Sequence, residues 1–258
     1  MSAAPVLLAE LTGGLNVPCR LKLQEPWREA SRMLNQPRIE DSRRNESTTA
    51  NPAALGLFGL AVVTLVASSH KLGITSGTLY LIPWAIFLGA TAQLIAGFLD
   101  FKLKNTFGAT AFCGYGLFWL AIGMTWMLNN GVLVSQASAV ADPAQLGIAF
   151  LGYLIFTAYM TLGAAGTNKI LFIIFVLIDM LFLGLLFSTL GWAVAFWTWF
   201  AGLSEMGIAV FSFYASASNV LNSHYDRIVL PLGSPFGPWI RRPEARRTEE
   251  DFEIRKAS

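Results

Sequence analysis

At Asn51-Pro52-Ala53-Ala54-Leu55-Gly56-Leu57, a polar, charged segment gives way abruptly to apolar sequence. An asparagine side chain can accept a hydrogen bond from a free backbone N–H group, and proline suits the first helical position, where no donor is needed. The stretch therefore predicts the first turn of a helix. Such a turn presents unpaired N–H groups and the positive end of the helix dipole, which attract small anions. From these residues alone, two interpretations stay open: a plain helix start, or part of an anion site.

The composition is that of a membrane protein. Hydrophobic residues make up 54% of the 258 residues and charged residues only 13%, against about 25% charged residues in soluble domains. Six apolar stretches each approach the roughly 20 residues that cross about 30 Å of hydrocarbon. They span approximately residues 52–69, 78–99, 107–128, 146–164, 170–190 and 193–217. We therefore predict an all-α integral membrane protein built as a bundle of six transmembrane helices.

The basic residues orient these helices. Of 18 lysines and arginines, seven precede the first span, seven follow the sixth, and Lys102, Lys104 and Lys169 fall on the same side, which leaves only Lys71 opposite. Basic residues accumulate on the cytoplasmic side, so both termini are predicted to be cytoplasmic. The predicted organisation is a largely disordered N-terminal tail (1–50), a transmembrane transport domain (51–218) and a cytoplasmic C-terminal tail (219–258).

One face of the second span is unusual. Gly89, Gln93, Gly97 and Asp100 follow one another at intervals of four, four and three residues, and such residues share a helical face. Small residues let membrane helices approach closely, whereas Gln93 requires a polar partner or a water-filled path. Helix packing and a polar path both stay open as explanations.

Two acidic residues lie within apolar spans, Asp179 in the fifth and Glu205 in the sixth. A charged carboxylate at mid-bilayer costs about 2.5 to 3.5 kcal/mol on insertion scales, and such groups usually face a cavity or a partner. Because no lysine or arginine lies inside a span, we expect neither acid to have an embedded basic partner. We therefore expect both to carry protons or to face water. The alternative is a protonated acid that is hydrogen-bonded to a neighbouring helix.

No pattern indicates an enzyme. His70 and His224 fall on opposite sides of the predicted membrane, and Ser68 and Ser69 point around the helix in directions different from their neighbour His70. The sequence contains no Gly-rich phosphate loop, paired-cysteine metal site or dinucleotide fingerprint. We therefore expect no catalytic residues, no cofactor, no metal site and no nucleic-acid partner.

The opening stretch resembles the Asn-Pro-Ala-Pro-Leu-Gly-Leu signature of the acetate uptake transporter family, the acetate and succinate permeases of microbes. Ala54 stands where that signature has its second proline. Further segments resemble the family in order and spacing, and the resemblance runs from about residue 51 to residue 233. These segments are Ala92-Gln93 through Gly97-Phe98-Leu99-Asp100, then Asn105-Thr106-Phe107-Gly108-Ala109-Thr110-Ala111-Phe112-Cys113-Gly114-Tyr115-Gly116-Leu117-Phe118-Trp119, and near the end Val220-Leu221-Asn222 and Val229-Leu230-Pro231-Leu232-Gly233.

The resemblance implies a six-helix subunit of a homo-hexamer in the plasma membrane, with a separate path through each subunit for acetate and related short-chain carboxylates, succinate among them. It implies an apolar constriction at Leu60, Tyr115 and Ile178, where Leu60 and Ile178 replace an aromatic residue and a leucine of the family. The residues expected along the substrate path are Asn51, Pro52, Ala53, Leu55, Gly56, Gln93 and Tyr115.

Two questions stay open at this point. Proton symport and passive anion flow are both compatible with the residues, and the embedded acids Glu205 and Asp179 favour proton linkage. The alternative function is that of a membrane sensor or signalling scaffold on the same six-helix fold, which the two basic tails suggest.

Overall fold

A computed structural model describes residues 50–133 and 141–236. Residues 1–49 of the predicted N-terminal tail and residues 237–258 of the predicted C-terminal tail lie outside the described residues. Within the described residues, six helices are long and apolar enough to cross a membrane. They are α1 (Ala53–Lys71), α2 (Leu81–Lys102), α3 (Thr106–Asn129), α4 (Ala144–Ala164), α5 (Lys169–Thr189) and α6 (Val194–His224). The predicted all-helical, six-span fold is confirmed.

The helices form a bundle in which α6 packs along both α1 and α5. The other main contacts join α5 to α4, and α2 to α1 and α3. Successive helices run in opposite directions, so α1, α3 and α5 all begin at the end of the bundle where α6 finishes. We call this end the tail side and the opposite end, with the connections after α1, α3 and α5, the loop side.

Helix α2 is interrupted by a π-helical stretch. Ala85–Ala92 adopt this wider turn between two α-helical segments, Leu81–Trp84 and Gln93–Lys102. The Thr91 hydroxyl donates to the carbonyl of Ile86, five residues earlier, at 2.8 Å. Such stretches often occur at functional sites, and here Gln93 follows directly. The four residues predicted to share one face of α2, Gly89, Gln93, Gly97 and Asp100, are all buried.

Helix α6 continues seven residues beyond its predicted end at residue 217, to His224. The last part of α6 carries polar side chains, which lower its hydropathy. These side chains bind residues 229–236, which we call the return segment. The Asn222 side-chain oxygen accepts from the N–H groups of Val229 and Leu230, at 2.7 and 3.0 Å. The Leu232 carbonyl accepts from Ile170 N–H at 3.2 Å. The return segment therefore connects the end of α6 to the start of α5.

Candidate functional site

A cavity of about 330 Å³ lies on the tail side, between α1, α2, α3, α5 and α6. Three asparagines that precede helix starts line it: Asn51 before α1, Asn105 before α3 and Asn168 before α5. Each side-chain oxygen accepts from a free N–H group of its own helix, at 3.0 Å from Ala53, 3.2 Å from Gly108 and 2.9 Å from Leu171. Because three helices begin here, the positive ends of three helix dipoles face one cavity.

Asn51 also connects two helices. Its amide nitrogen donates to the side-chain oxygen of Asn219 on α6 at 3.0 Å, and the Ser216 hydroxyl donates to the Ala54 carbonyl at 2.8 Å. Helix α1 begins at Ala53, with Pro52 at its N-cap, one residue later than predicted. The predicted hydrogen bond from Asn51 is nevertheless formed, to the N–H of Ala53.

The other residues of the opening stretch differ in position. Ala53 lines the cavity, and Pro52 is buried beside it. Gly56 is buried against the ring of Phe112, which also lines the cavity, so a side chain at position 56 would displace that ring. Leu55 is 41% exposed and lies on the outer face of α1, away from the cavity lining. The structure thus brings Asn51, Ala53 and Gly56 to the cavity region and leaves Leu55 outside.

Gln93 and Asp100 contribute hydrogen-bond acceptors to the cavity wall. Both side chains are buried and line the cavity. Gln93 donates its amide group to the Gly89 carbonyl at 2.8 Å, and Asp100 accepts from Asn105 at 3.1 Å. The Gln93 oxygen and the second Asp100 oxygen have no hydrogen-bond partner among the described residues. The wall therefore offers acceptors beside the converging N–H groups, and a proton or a donor is needed to satisfy them.

The three residues of the expected constriction meet at this cavity. Leu60, Tyr115 and Ile178 come from α1, α3 and α5, and all are buried and line it. The Tyr115 hydroxyl lies 3.0 Å from that of Thr157, which itself donates to the Tyr153 carbonyl at 2.8 Å. Because the single Thr157 proton is used in this way, Tyr115 is the donor of the shared bond. Its proton points towards α4, not into the cavity.

A second cavity, of about 200 Å³, lies on the loop side, and none of the described residues lines both cavities. On α5, Ile178 lines the tail-side cavity and Leu185 lines the loop-side cavity. These positions are about 10 Å apart along the helix. The intervening Phe182 is 1% exposed, as is Val63 on α1. An apolar layer about 10 Å thick therefore separates the cavities.

Glu205 has the basic partner that sequence reasoning excluded. The ammonium group of Lys71 donates to a Glu205 carboxylate oxygen at 2.8 Å, and both residues line the loop-side cavity. The expectation of no embedded partner was wrong because it counted only basic residues within the apolar spans. Lys71 ends α1, and its long side chain extends along the apolar surface to the buried acid on α6.

Asp179 occupies a different setting. One of its oxygens accepts from the Thr161 hydroxyl of α4 at 2.7 Å, and the other has no partner among the described residues. It lines neither of the two cavities. This is the arrangement described by the alternative prediction, an acid that is hydrogen-bonded to a neighbouring helix.

Sequence reasoning missed three residues of the site, Asn105, Asn168 and Asn219. For the first two, the available signal was an asparagine two residues before a predicted span, similar to the signal that identified Asn51 directly before its span. Asn219 lay beyond the predicted end of α6. Its three-residue interval from Ser216 on one helical face was the only indication.

Comparison with known proteins agrees with this architecture. The succinate-acetate/proton symporter SatP of Escherichia coli is 32% identical over 184 residues, which cover 71% of this chain and 95% of SatP. Ammonia transport outward protein 2 of Saccharomyces cerevisiae is 34% identical over 199 residues, 72% of this chain and 67% of that protein. Acetate permease A of Emericella nidulans is 33% identical over 144 residues, 52% of this chain and 47% of the permease.

A solved structure, described as that of the bacterial acetate channel SatP, matches with a TM-score of 0.67 and 31% identity. The match covers 72% of this chain and all of that one. The model of the GPR1/FUN34/yaaH family matches residues 35–234. These findings confirm the resemblance to microbial acetate and succinate permeases, and with the six spans they make the chain a multi-pass membrane protein. The chain belongs to the GPR1/FUN34/yaaH family.

Proposed function

We propose that the protein carries acetate and related short-chain carboxylates, including succinate, across the membrane together with protons. The observation that supports this most is the convergence of three helix starts on the tail-side cavity, each with an asparagine side chain that accepts from a backbone N–H group of its helix. Short carboxylic acids have pKa values near that of glutamic acid, about 4.3, and are therefore anions at neutral pH. Free N–H groups and helix dipoles attract such anions, and among the described residues no lysine or arginine lines the cavity.

The size of the cavity suits this substrate class. About 330 Å³ lies at the lower end of the roughly 300 to 1,000 Å³ of small-molecule pockets, so a two- to four-carbon acid suits the cavity. The apolar layer around Leu60, Tyr115 and Ile178 opposes hydrated inorganic ions, because such ions do not shed their water in an apolar constriction. A small carboxylate with a methyl group is better suited to that layer.

Proton linkage is favoured by Asp100. Its carboxyl group faces the same cavity that would hold the substrate, and two negative charges in a poorly screened space repel each other strongly. A proton that enters with each anion removes this repulsion and supplies a donor for the unpartnered oxygen of Asp100. Glu205 and Asp179 are further proton-linked candidates, Glu205 through the loop-side cavity.

We further propose that the tail side is cytoplasmic, that the protein resides in the plasma membrane, and that it assembles as a homo-hexamer. The distribution of basic residues supports the orientation. The outer face of α2 exposes large apolar side chains, among them Trp84, Phe87 and Phe98. That surface suits lipid or neighbouring subunits.

Uptake of labelled acetate by the purified protein in liposomes tests the proposal. Propionate, lactate and succinate serve as competitors, and a pH-sensitive dye inside the liposomes reports proton entry. We expect saturable acetate uptake with simultaneous acidification. Acetate-driven charge movement without proton entry would contradict symport, and failure to move any of these acids would contradict carboxylate transport.

A further inference from the structure

We infer that the loop-side cavity is a second carboxylate-binding site, in which Lys71 exchanges Glu205 for the carboxylate of the substrate while Glu205 takes up a proton. The inference rests on the proposed carboxylate transport and deepens it. It assigns a role to the one ion pair found within the described residues.

The two partners differ in their access to the cavity. The Glu205 side chain is 2% exposed, whereas that of Lys71 is 15% exposed, and both line the cavity. The lysine is therefore the partner that an incoming anion reaches. A lysine ammonium carries three donors on a flexible stem, so it can turn to a new acceptor without moving its helix.

Other groups in this cavity complete a carboxylate site. The Thr78 oxygen accepts from the amide group of Asn130 at 2.8 Å, which leaves its own hydroxyl proton available. The Asn129 side chain also lines the cavity, and the ring nitrogen Nδ1 of His70 is buried without a partner among the described residues. Trp119 and Trp126 form apolar walls beside these polar groups. The chemistry suits a small anion with an apolar end.

Charge balance determines how the exchange proceeds. In the resting cavity the Lys71 ammonium and the Glu205 carboxylate cancel. Entry of a carboxylate anion alone would leave one uncompensated negative charge in a small, poorly screened space. When one proton forms an O–H bond on Glu205, Lys71 pairs with the substrate and the cavity is neutral again. Each anion is thereby accompanied by one proton.

Among the described residues, the other titratable group in this cavity is His70, which like Lys71 belongs to α1. The lining residues from α3, α4 and α5 carry no titratable side chain. They are Phe118, Trp119, Ile122, Thr125, Trp126, Asn129, Leu146, Phe150, Leu185 and Thr189. Glu205 is therefore the group that takes up the proton in this cavity, and His70 is the competing candidate.

Titration calorimetry of acetate into the purified, detergent-solubilised protein tests the inference. Runs between pH 6.5 and 8 in two buffers with different ionisation enthalpies give the protons taken up per acetate, and acetate itself stays ionised in this range. We expect Glu205→Gln to take up about one proton fewer per acetate than the wild type. For each unit by which the pH rises, the acetate affinity of the wild type should fall about tenfold more than that of Glu205→Gln. Lys71→Gln should bind acetate at least about tenfold more weakly at this site.

Asp142→Asn is the matched control, because Asp142 is an exposed acid on the loop side whose oxygen accepts from Ala144 N–H, which asparagine can also do. It should take up as many protons as the wild type. The double variant Lys71→Gln/Glu205→Gln leaves no unpaired charge. Compared with the single variants, and with size-exclusion profiles of each protein, it distinguishes lost binding from misfolding.

Unchanged proton uptake in Glu205→Gln, or undiminished binding in Lys71→Gln, would overturn the inference. So would a loss of proton uptake in His70→Gln that Glu205→Gln does not share. If instead the wild type moves no carboxylate in liposomes, the proposed function itself fails, and the two results are thereby distinguished.

Discussion

The Asn51 amide nitrogen donates to the Asn219 side-chain oxygen across 3.0 Å, and so joins the start of the first membrane helix to the last turns of the sixth. The same asparagine accepts from Ala53 N–H and lies at the mouth of the tail-side cavity. One side chain thus fixes a helix start, an interhelical contact and part of an anion-attracting surface.

Asn51→Ala should therefore impair acetate uptake more than folding. Loss of the Asn51 hydrogen bond to Ala53 N–H at the start of α1 should cost no more than a helix cap does, about 0.5 to 2 kcal/mol, which a six-helix bundle tolerates, whereas the cavity loses a polar group at its mouth. Uptake in liposomes and thermal unfolding of the purified protein measure the two effects. Asn219→Ala is the matched variant, since it removes the interhelical hydrogen bond and keeps the cap. Normal uptake by Asn51→Ala at normal membrane abundance would reduce the residue to a helix cap.

Gly108→Ala should disturb the acceptor wall of the cavity. A Cβ at position 108 would collide with the Asp100 carboxyl group and the Asn105 amide, and so break their hydrogen bond. We expect acetate uptake to fall several-fold, although alanine favours helix by up to about 1 kcal/mol over glycine. Gly152→Ala is the control, because no atom of the described residues lies within 4 Å of a Cβ placed there. Equal uptake by the two variants would argue against a role for the Asp100–Asn105 pair.

Tyr115→Phe separates the ring of Tyr115 from its hydroxyl. The hydroxyl proton is directed to Thr157, so its removal should cost about 0.5 to 1.5 kcal/mol of stability and leave most acetate uptake intact. Tyr115→Ala should in contrast open the apolar layer and alter the selection among acids. Uptake assays and unfolding temperatures of both variants decide the matter. A large loss of uptake in Tyr115→Phe would mean that the hydroxyl serves the substrate directly.

Ile178→Ala should broaden the range of acids carried. Ile178 is 4% exposed and lies at the apolar end of the tail-side cavity, so truncation adds space where the substrate enters the barrier. We expect lactate uptake to rise relative to acetate uptake, and Leu60→Phe, which adds volume on the facing helix, to lower it. Competition assays measure the ratio. Leu117→Ala, at a position 53% exposed on α3, should leave it unchanged.

Removal of residues 1–45 and 238–258 tests the sensor alternative. All described residues that line the tail-side cavity lie between Asn51 and Leu232, so we expect a transporter to keep its acetate uptake. A signalling scaffold that acts through its basic tails should lose its output on the same deletion. Loss of uptake in a folded, membrane-inserted deletion variant would contradict the view that transport resides in the bundle alone.

The sequence predicted those features that depend on local pattern. The lengths of the apolar stretches predicted the six spans, and the chemistry of asparagine and proline predicted the start of α1 to within one residue. Helical spacing predicted that Gln93 and Asp100 share one helical face. Features that arise from packing between distant segments were missed. The hydropathy pattern predicted the end of α6 too early, because the hydrogen bonds between Asn222 and the return segment cannot be predicted from composition. The Lys71–Glu205 pair depends on how α1 and α6 are placed relative to each other along the bundle, so it could not be predicted from either helix alone.

The return segment has a consequence for biosynthesis. Leu232, which it carries, completes the lining of a cavity whose first lining residue is Asn51, so nearly the whole membrane domain must be synthesised before that lining is closed. A nascent chain that has inserted only its first helices has no finished conduit.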